Sequence, residues 1–302
     1  MTNYGYRQYL RQYRLIVTSK SEGVAFDVSD LRIKFKIEKA VKGKGNNAQI
    51  AVFNVSRDSL GAIKAGDNVV LEAGYKNGNY GMIYAGEIVQ SFMEYSDDVD
   101  SAMVLMCQDC DKWLTKKIVV KTYGAGASQA DMVNDMIAED SEDISGGQIS
   151  PSLGNKLLPR GKVLFGKAAD YVEQIAKGNN STFYVEDGKI NIVSATEYAS
   201  NIAVELSPTT GLIGVPEQTE KGVKGKCLIN PSLRLNTLIH IDVNYVNAMA
   251  NNDKGASGTK KMNTGGVYKV IKLAYEGDTR DNDWYCEFEA DNVSGKVIGT
   301  VE

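Results

Sequence analysis

A mostly β, α+β fold is what the sequence predicts, with two small β-barrel-like blocks flanking a mixed helix and hairpin insert. Three observations lead there. Residues from Tyr13 to Tyr123 alternate apolar and polar side chains, the period-two signature of strands with one buried face. Residues 124–204 change to helical spacing and end in a hairpin. Residues 205–302 return to strand patterning. The expected domains are therefore 1–123, 124–204 and 205–302.

In the first block the clearest strand is Leu31 to Glu38, where Leu31, Ile33, Phe35 and Ile37 share one face and Arg32, Lys34, Lys36 and Glu38 the other. That division fits a sheet buried on one side only. The turn-prone run Lys42 to Asn47 leads to an antiparallel partner, Ala48 to Asn54. Ser56 suits the cap of a short helix with Leu60 and Ile63 on one face, which Gly66-Asp67 ends. Strands follow at Val69 to Tyr75, Met82 to Met93 and Ala102 to Cys107, and so many short strands suggest a closed or nearly closed barrel.

The insert opens on Gly124-Ala-Gly-Ala-Ser128, a flexible joint whose serine suits a helix cap. Met132, Val133, Met136 and Ile137 repeat with helical spacing, as do Ala168, Val172, Ile175 and Ala176. Asp140 to Gly161 reads as a long surface loop. In Thr182 to Val193, Asp187-Gly188 supplies the positive-φ pair of a tight hairpin. In the last block strands are expected at Lys226 to Ile229, Thr237 to Tyr245, Val267 to Tyr275 and Trp284 to Asn292, interrupted by a polar, mobile stretch from Asn247 to Gly266.

The composition narrows function. A 302-residue chain with 43% hydrophobic and 24% charged residues is that of a folded soluble protein, and no apolar run approaches the ~20 residues that span a bilayer. Its first residues lack a secretory signal, so folding in the cytoplasm is expected. A net charge of −4 and a pI near 5.3 offer no overall attraction to nucleic acid or anionic membrane. The exception is an N-terminal arm where Tyr4, Tyr6, Tyr9 and Tyr13 interleave with Arg7, Arg11 and Arg14. Such residues stack on bases, but they are equally those enriched at protein interfaces, and Tyr4, Tyr6, Arg7, Tyr9, Arg11 and Tyr13 are the candidate interface residues.

Catalytic constellations are weak. His240 is the only histidine and shares a solvent-facing strand face with Asp242, with no nucleophile elbow to serve. Cys107 and Cys110 have metal-gripping spacing, yet a structural zinc needs two further ligands, and Cys227 and Cys286 stand alone within strands. Asp97, Asp98 and Asp100 read as a solvated turn, and the run Asp278 to Asp283 lacks the glycine and glutamate of a calcium loop. No phosphate-binding glycine motif occurs. Neither cofactor nor metal is expected, and the residues point to a protein that works through its surfaces.

Four passages carry a family resemblance: Leu31 to Val55 with Gly66 to Gly74; Ala85 to Gln90; Phe165 to Val193; and Thr210 to Thr219 with Gly222 to Pro231. In their order the chain resembles the baseplate hub proteins of contractile bacteriophage tails and the related hub region of type VI secretion spike proteins. The resemblance implies a structural, non-enzymatic virion protein, assembled in the bacterial cytoplasm, whose two barrel-like domains form a pseudo-sixfold ring as a homotrimer. It implies as partners the sixfold tail tube protein, the threefold central spike protein and other baseplate proteins, with no membrane and no specifically bound nucleic acid. The sequence stops at Val301-Glu302 without a spike or wall-degrading domain, so a separate spike protein is expected to supply both. A tail-associated cell-wall hydrolase and a carbohydrate-binding module are the alternatives.

Overall fold

The computed structural model describes residues 8–21, 23–41, 45–56, 61, 63–95, 101–138, 144–200, 202–242 and 266–293. The first block supplies β1 (Arg11–Thr18), β2 (Ala25–Asp27), β3 (Ile33–Ala40), β4 (Asn47–Phe53), β5 (Asn68–Tyr75), β6 (Tyr80–Tyr95) and β7 (Ser101–Gln108). The insert supplies α1 (Asp111–Lys116), β8 (Ile118–Tyr123), α2 (Gln129–Ala138), β9 (Ser145–Ile149), β10 (Lys162–Lys167), α3 (Ala168–Gly178), β11 (Ser181–Glu186) and β12 (Lys189–Ser194). The last block supplies β13 (Ala203–Glu205), β14 (Leu212–Gln218), β15 (Gly222–Leu228), β16 (Leu238–His240), β17 (Val267–Asp278) and β18 (Trp284–Asn292).

The mostly β, α+β class stands, and the two β-rich blocks are joined in one sheet. Its strand order is β14-β15-β18-β17-β3-β4-β7-β6-β5-β1-β2, with β16 also on β17 and β13 on β16. Among the described residues this path does not close into a ring, so of the closed or nearly closed barrel expected for the first block the closed form is not found. The reason lies in β3. One edge takes β4, and the other takes β17 from the last block over Lys272↔Ala40 to Asp278↔Lys34, leaving no edge to meet β1 or β2.

The alternation that identified β3 is the alternation the sheet uses. Ile33, Phe35 and Ile37 are buried and Lys34, Lys36 and Glu38 exposed. One core runs under both blocks, bringing Leu15, Phe35, Ile50 and Leu71 together with Val223, Tyr275 and Phe288. Gly277 makes this seam possible, because a Cβ there would sit 2.4 Å from the Phe35 ring.

The insert has its own core, where α1, α2 and α3 pack on β8, β10 and the β11–β12 hairpin. Ser128 caps α2 as its position suggested, its Oγ accepting the Asp131 N–H at 3.0 Å. Asp187 at φ 53° and Gly188 at φ 76° form the tight hairpin turn, a conformation open to glycine and tolerated by aspartate. This core begins before residue 124, since Cys110, Trp113, Val119 and Tyr123 belong to it.

The expected surface loop between Asp140 and Gly161 needs correction. It contains β9, a parallel neighbour of β12, and a 3₁₀ turn at Pro151–Leu153 whose Leu153 is fully buried. β9 reads Ser-Gly-Gly-Gln-Ile, so backbone pairing rather than apolar alternation holds it, with Gln148 N–H donating to Asn191 Oδ1 at 2.8 Å. The helix expected after Ser56, the acidic turn at 97–100 and the stretch 247–265 lie wholly or mostly outside the described residues.

Candidate functional site

Of the candidate interface residues, Tyr4, Tyr6 and Arg7 lie outside the described residues. Tyr9 is half exposed. Arg11, which is exposed, and the half-buried Tyr13 both lie against Trp284. The Arg11 guanidinium lies 5.2 Å from the Trp284 ring centroid and donates to the carbonyls of Asp278 (3.0 Å), Asn282 (2.9 Å) and Asp281. Tyr13 meets the same indole edge-on at 6.2 Å. Gln8 donates to the Thr210 carbonyl and Asn79 to the Asn230 side chain. Side chains thus hold the start of the first block against the last, where no strand pairing does so among the described residues.

The second constellation is buried. The tip of the β11–β12 hairpin inserts between the two β-rich blocks, and both sides grip it. From the first block, Lys39 Nζ lies 2.7 Å from Asp187 and 3.5 Å from Glu186, and Ala85 N–H donates to Asp187. Asp109 accepts the Gly188 N–H at 2.9 Å, and Asn46 donates to the Val185 carbonyl at 2.7 Å. From the last block, Arg234 lies 3.3 Å from Asp187 and the Leu235 N–H donates to Glu186. One hairpin tip is therefore the joint of three segments.

Its electrostatics follow from burial. Burial pushes the Lys39 ammonium towards neutrality, but Asp187, Glu186 and Asp109 outweigh it and hold the pKa above the ordinary lysine value. Burial raises Glu186, more than Lys39 and the Leu235 amide lower it. Burial likewise lifts Asp109 to about 6, with Asp187 adding to the rise and the Gly188 amide, Cys110 and Lys39 opposing it. A carboxyl whose folded pKa lies above its unfolded value stabilises below the unfolded pKa and loses that stability as pH rises through the folded one. For Asp109 the loss falls between pH 4 and 6 and reaches about 3 kcal/mol at neutrality. Asp109→Asn, which keeps an oxygen for Gly188 and carries no charge, is expected to raise stability by about 2 kcal/mol at pH 7 and nothing at pH 4. Urea unfolding at the two pH values checks this, and an equal change at both would refute it.

The remaining candidates sort plainly. His240 Nδ1 sits 2.6 Å from Glu205 on the parallel strand β13, a half-exposed pair. Cys227 and Cys286, far apart in sequence, are cross-strand neighbours in β15 and β18, both buried and free. Burial lifts the Cys107 thiol to about 12, so it stays protonated. Among the described residues no group of three or more His, Cys, Asp or Glu is placed to hold a metal ion. A groove of about 700 Å³ opens over β3, β14, β15, β17 and β18. Its charges pair across strands, Lys224 with Glu217 (2.8 Å), Lys226 with Glu287 (3.7 Å) and Lys272 with Glu289.

Comparisons with known proteins identify the family. Residues 14–290 match the model of the family described as baseplate hub gp41. The chain belongs to the baseplate hub family. That membership makes it a structural protein of a phage tail, found in the virion. Solved structures share the fold. A 43 kDa tail protein of prophage MuSo2 from Shewanella oneidensis aligns over 92% of this chain and 98% of its own at TM-score 0.60 and 8% identity. A tail protein from Neisseria meningitidis aligns over 94% and 97% at TM-score 0.59 and 10% identity. A type VI secretion component of E. coli, described as similar to T4 bacteriophage tail proteins gp27 and gp5, aligns over 96% and 76% at 0.51 and 9%. Among curated proteins compared by sequence, none matches.

The sequence pointed to the arm and not to the joint. Yet Lys39 continues the inward parity of Leu31, Ile33, Phe35 and Ile37, and a lysine on a buried face is a signal that the strand pattern carries.

Proposed function

We propose that this chain is a non-catalytic hub that assembles as a homotrimer, its two β-rich blocks per subunit giving six similar units around a ring. Such a ring meets a sixfold tail tube on one side and a threefold spike on the other. The observation that carries the reading is the match to the hub family over residues 14–290, spanning both blocks and the insert between them. The architecture supports it. Each subunit holds its blocks side by side through the β3–β17 seam and locks their relation with the Lys39–Asp187 joint, so a closed ring of three copies needs no hinge inside the subunit. The terminal strand β14 presents Ile213 and Val215 to solvent, which suits contact with a neighbouring subunit.

Light scattering of the purified protein, alone and mixed with its candidate spike, tests the proposal. The expected result is three times the chain mass of 32.9 kDa, in the free protein or on addition of the spike. A monomer that ignores the spike would sink the trimeric hub, and cleavage of purified peptidoglycan would sink its non-catalytic character.

A further inference from the structure

The β8–β10 ribbon of the insert is apolar on its outward face. Ile118, Val120, Val163 and Phe165 are 61%, 70%, 68% and 75% exposed. They are contiguous, because the register sets Val120 opposite Phe165, Thr122 opposite Val163 and Ile118 opposite Lys167. Their opposite faces are satisfied, with Val119 and Leu164 fully inside the insert's core. A contiguous exposed apolar patch of this kind marks a binding site.

Two further features say what binds. Only β10 pairs with β8 among the described residues, so β8 has a free edge. The ladder places the backbone N–H and C=O of Phe165 outward, where the Tyr171 hydroxyl caps both at 3.2 Å. By the same alternation the N–H and C=O of Ile118, Val120 and Thr122 point outward on the other edge, and no strand caps them. The ribbon is also basic. Lys116 to Tyr123 and Lys156 to Lys167 hold seven lysines and arginines and no acidic residue, in a chain of net charge −4. Lys121 is paired with Asp135 at 2.7 Å, while Lys116, Lys156, Arg160 and Lys167 are exposed.

We infer that the edge of β8 and the face of the ribbon dock an acidic, strand-forming segment of another protein, which adds to the ribbon as a third strand. Edge pairing satisfies the outward backbone groups, the apolar face takes alternate side chains, and the basic rim selects acidic flanks. A second copy of this chain is a poor occupant, because pairing β8 with β8 brings lysines against lysines. A bilayer is poorer still, because it would bury the open edge with no hydrogen-bond partner.

The test is fluorescence anisotropy of the full chain with a labelled eight-residue peptide of alternating Glu and Val. A Lys/Val peptide, a Glu/Val peptide N-methylated at alternate amides, and phosphatidylglycerol vesicles serve as competitors. The expected result is binding of the Glu/Val peptide, weakened at least tenfold by N-methylation and by Val120→Thr with Phe165→Thr. Those side chains are exposed, so an unchanged melting temperature accompanies the loss. No binding of the Glu/Val peptide, equal binding of the Lys/Val peptide, insensitivity to N-methylation or to the double substitution, or preference for the vesicles would each overturn the inference.

Discussion

Lys39→Met is expected to lower the unfolding free energy by about 4 kcal/mol, while Lys36→Met on the same strand changes it by less than about 0.5 kcal/mol. The two lysines differ in what they face. Lys36 is exposed and pairs with Glu38 at 3.4 Å, an ion pair of the kind that contributes little. Lys39 is buried and is the counter-charge of Asp187 and Glu186, both buried. Methionine fills much of the volume but leaves the carboxyls without it, and that imbalance costs more than the lysine's own desolvation returns. The consequence is a pH signature. Glu186 already has a raised pKa, and loss of Lys39 raises it further. A raised carboxyl contributes stability at low pH that is lost as pH rises, so the variant's deficit is smaller at pH 5 than at pH 8. Neutralising the acids in the same chain, with Glu186→Gln and Asp187→Asn, recovers more than half of the loss, since asparagine also tolerates the positive φ at 187. Urea unfolding of the four proteins at both pH values measures all of this, and a pH-independent deficit would show that packing rather than charge is at work.

Much of the fold was legible because the sheet is buried on one face. Leu31 to Ile37 alternate, Ser128 precedes a helical repeat, and Asp187-Gly188 stands between two apolar runs, and each of these local signals has one structural answer. What was not legible depends on partners distant in sequence. Nothing near Lys34 to Ala40 announces that Lys272 to Asp278 will take its free edge, yet that pairing merges the two blocks and leaves the first without a closed ring. β9 carries almost no apolar residue and exists because β12 offers an edge beside it. Cys227 and Cys286 looked solitary because only the register of β15 on β18 brings them together. The functional surfaces divide in the same way. Tyrosines and arginines in the arm stood out by composition, but that Arg11 and Tyr13 meet Trp284 of the last block could not be read from it. The ionic joint is built from one lysine on β3, one hairpin tip and one arginine before β16, which no single window of sequence contains.

The seam between the blocks makes the second large prediction. Trp284→Ala is expected to destabilise the sheet by about 4 kcal/mol, in the range for truncating a large buried aromatic side chain. Trp284 is almost fully buried, with Phe35 edge-on at 5.6 Å, Tyr13 at 6.2 Å and the Arg11 guanidinium at 5.2 Å. Its removal empties a space shared by β1, β3 and β18, and it takes away the surface on which Arg11 rests while that side chain reaches the Asp278 to Asn282 turn. Trp284→Phe keeps an aromatic face there and is expected to lose less than half as much. The chain has one other tryptophan, Trp113, in the separate core of the insert against Phe183. Fluorescence of Trp284→Ala therefore reports the insert alone, while circular dichroism reports the whole, strand-rich chain. With two cores the circular dichroism midpoint falls further than the Trp113 midpoint. Equal shifts would mean that the Lys39–Asp187 joint couples insert and sheet into one cooperative unit, and that division into two cores would then fail as a description of how the hub unfolds.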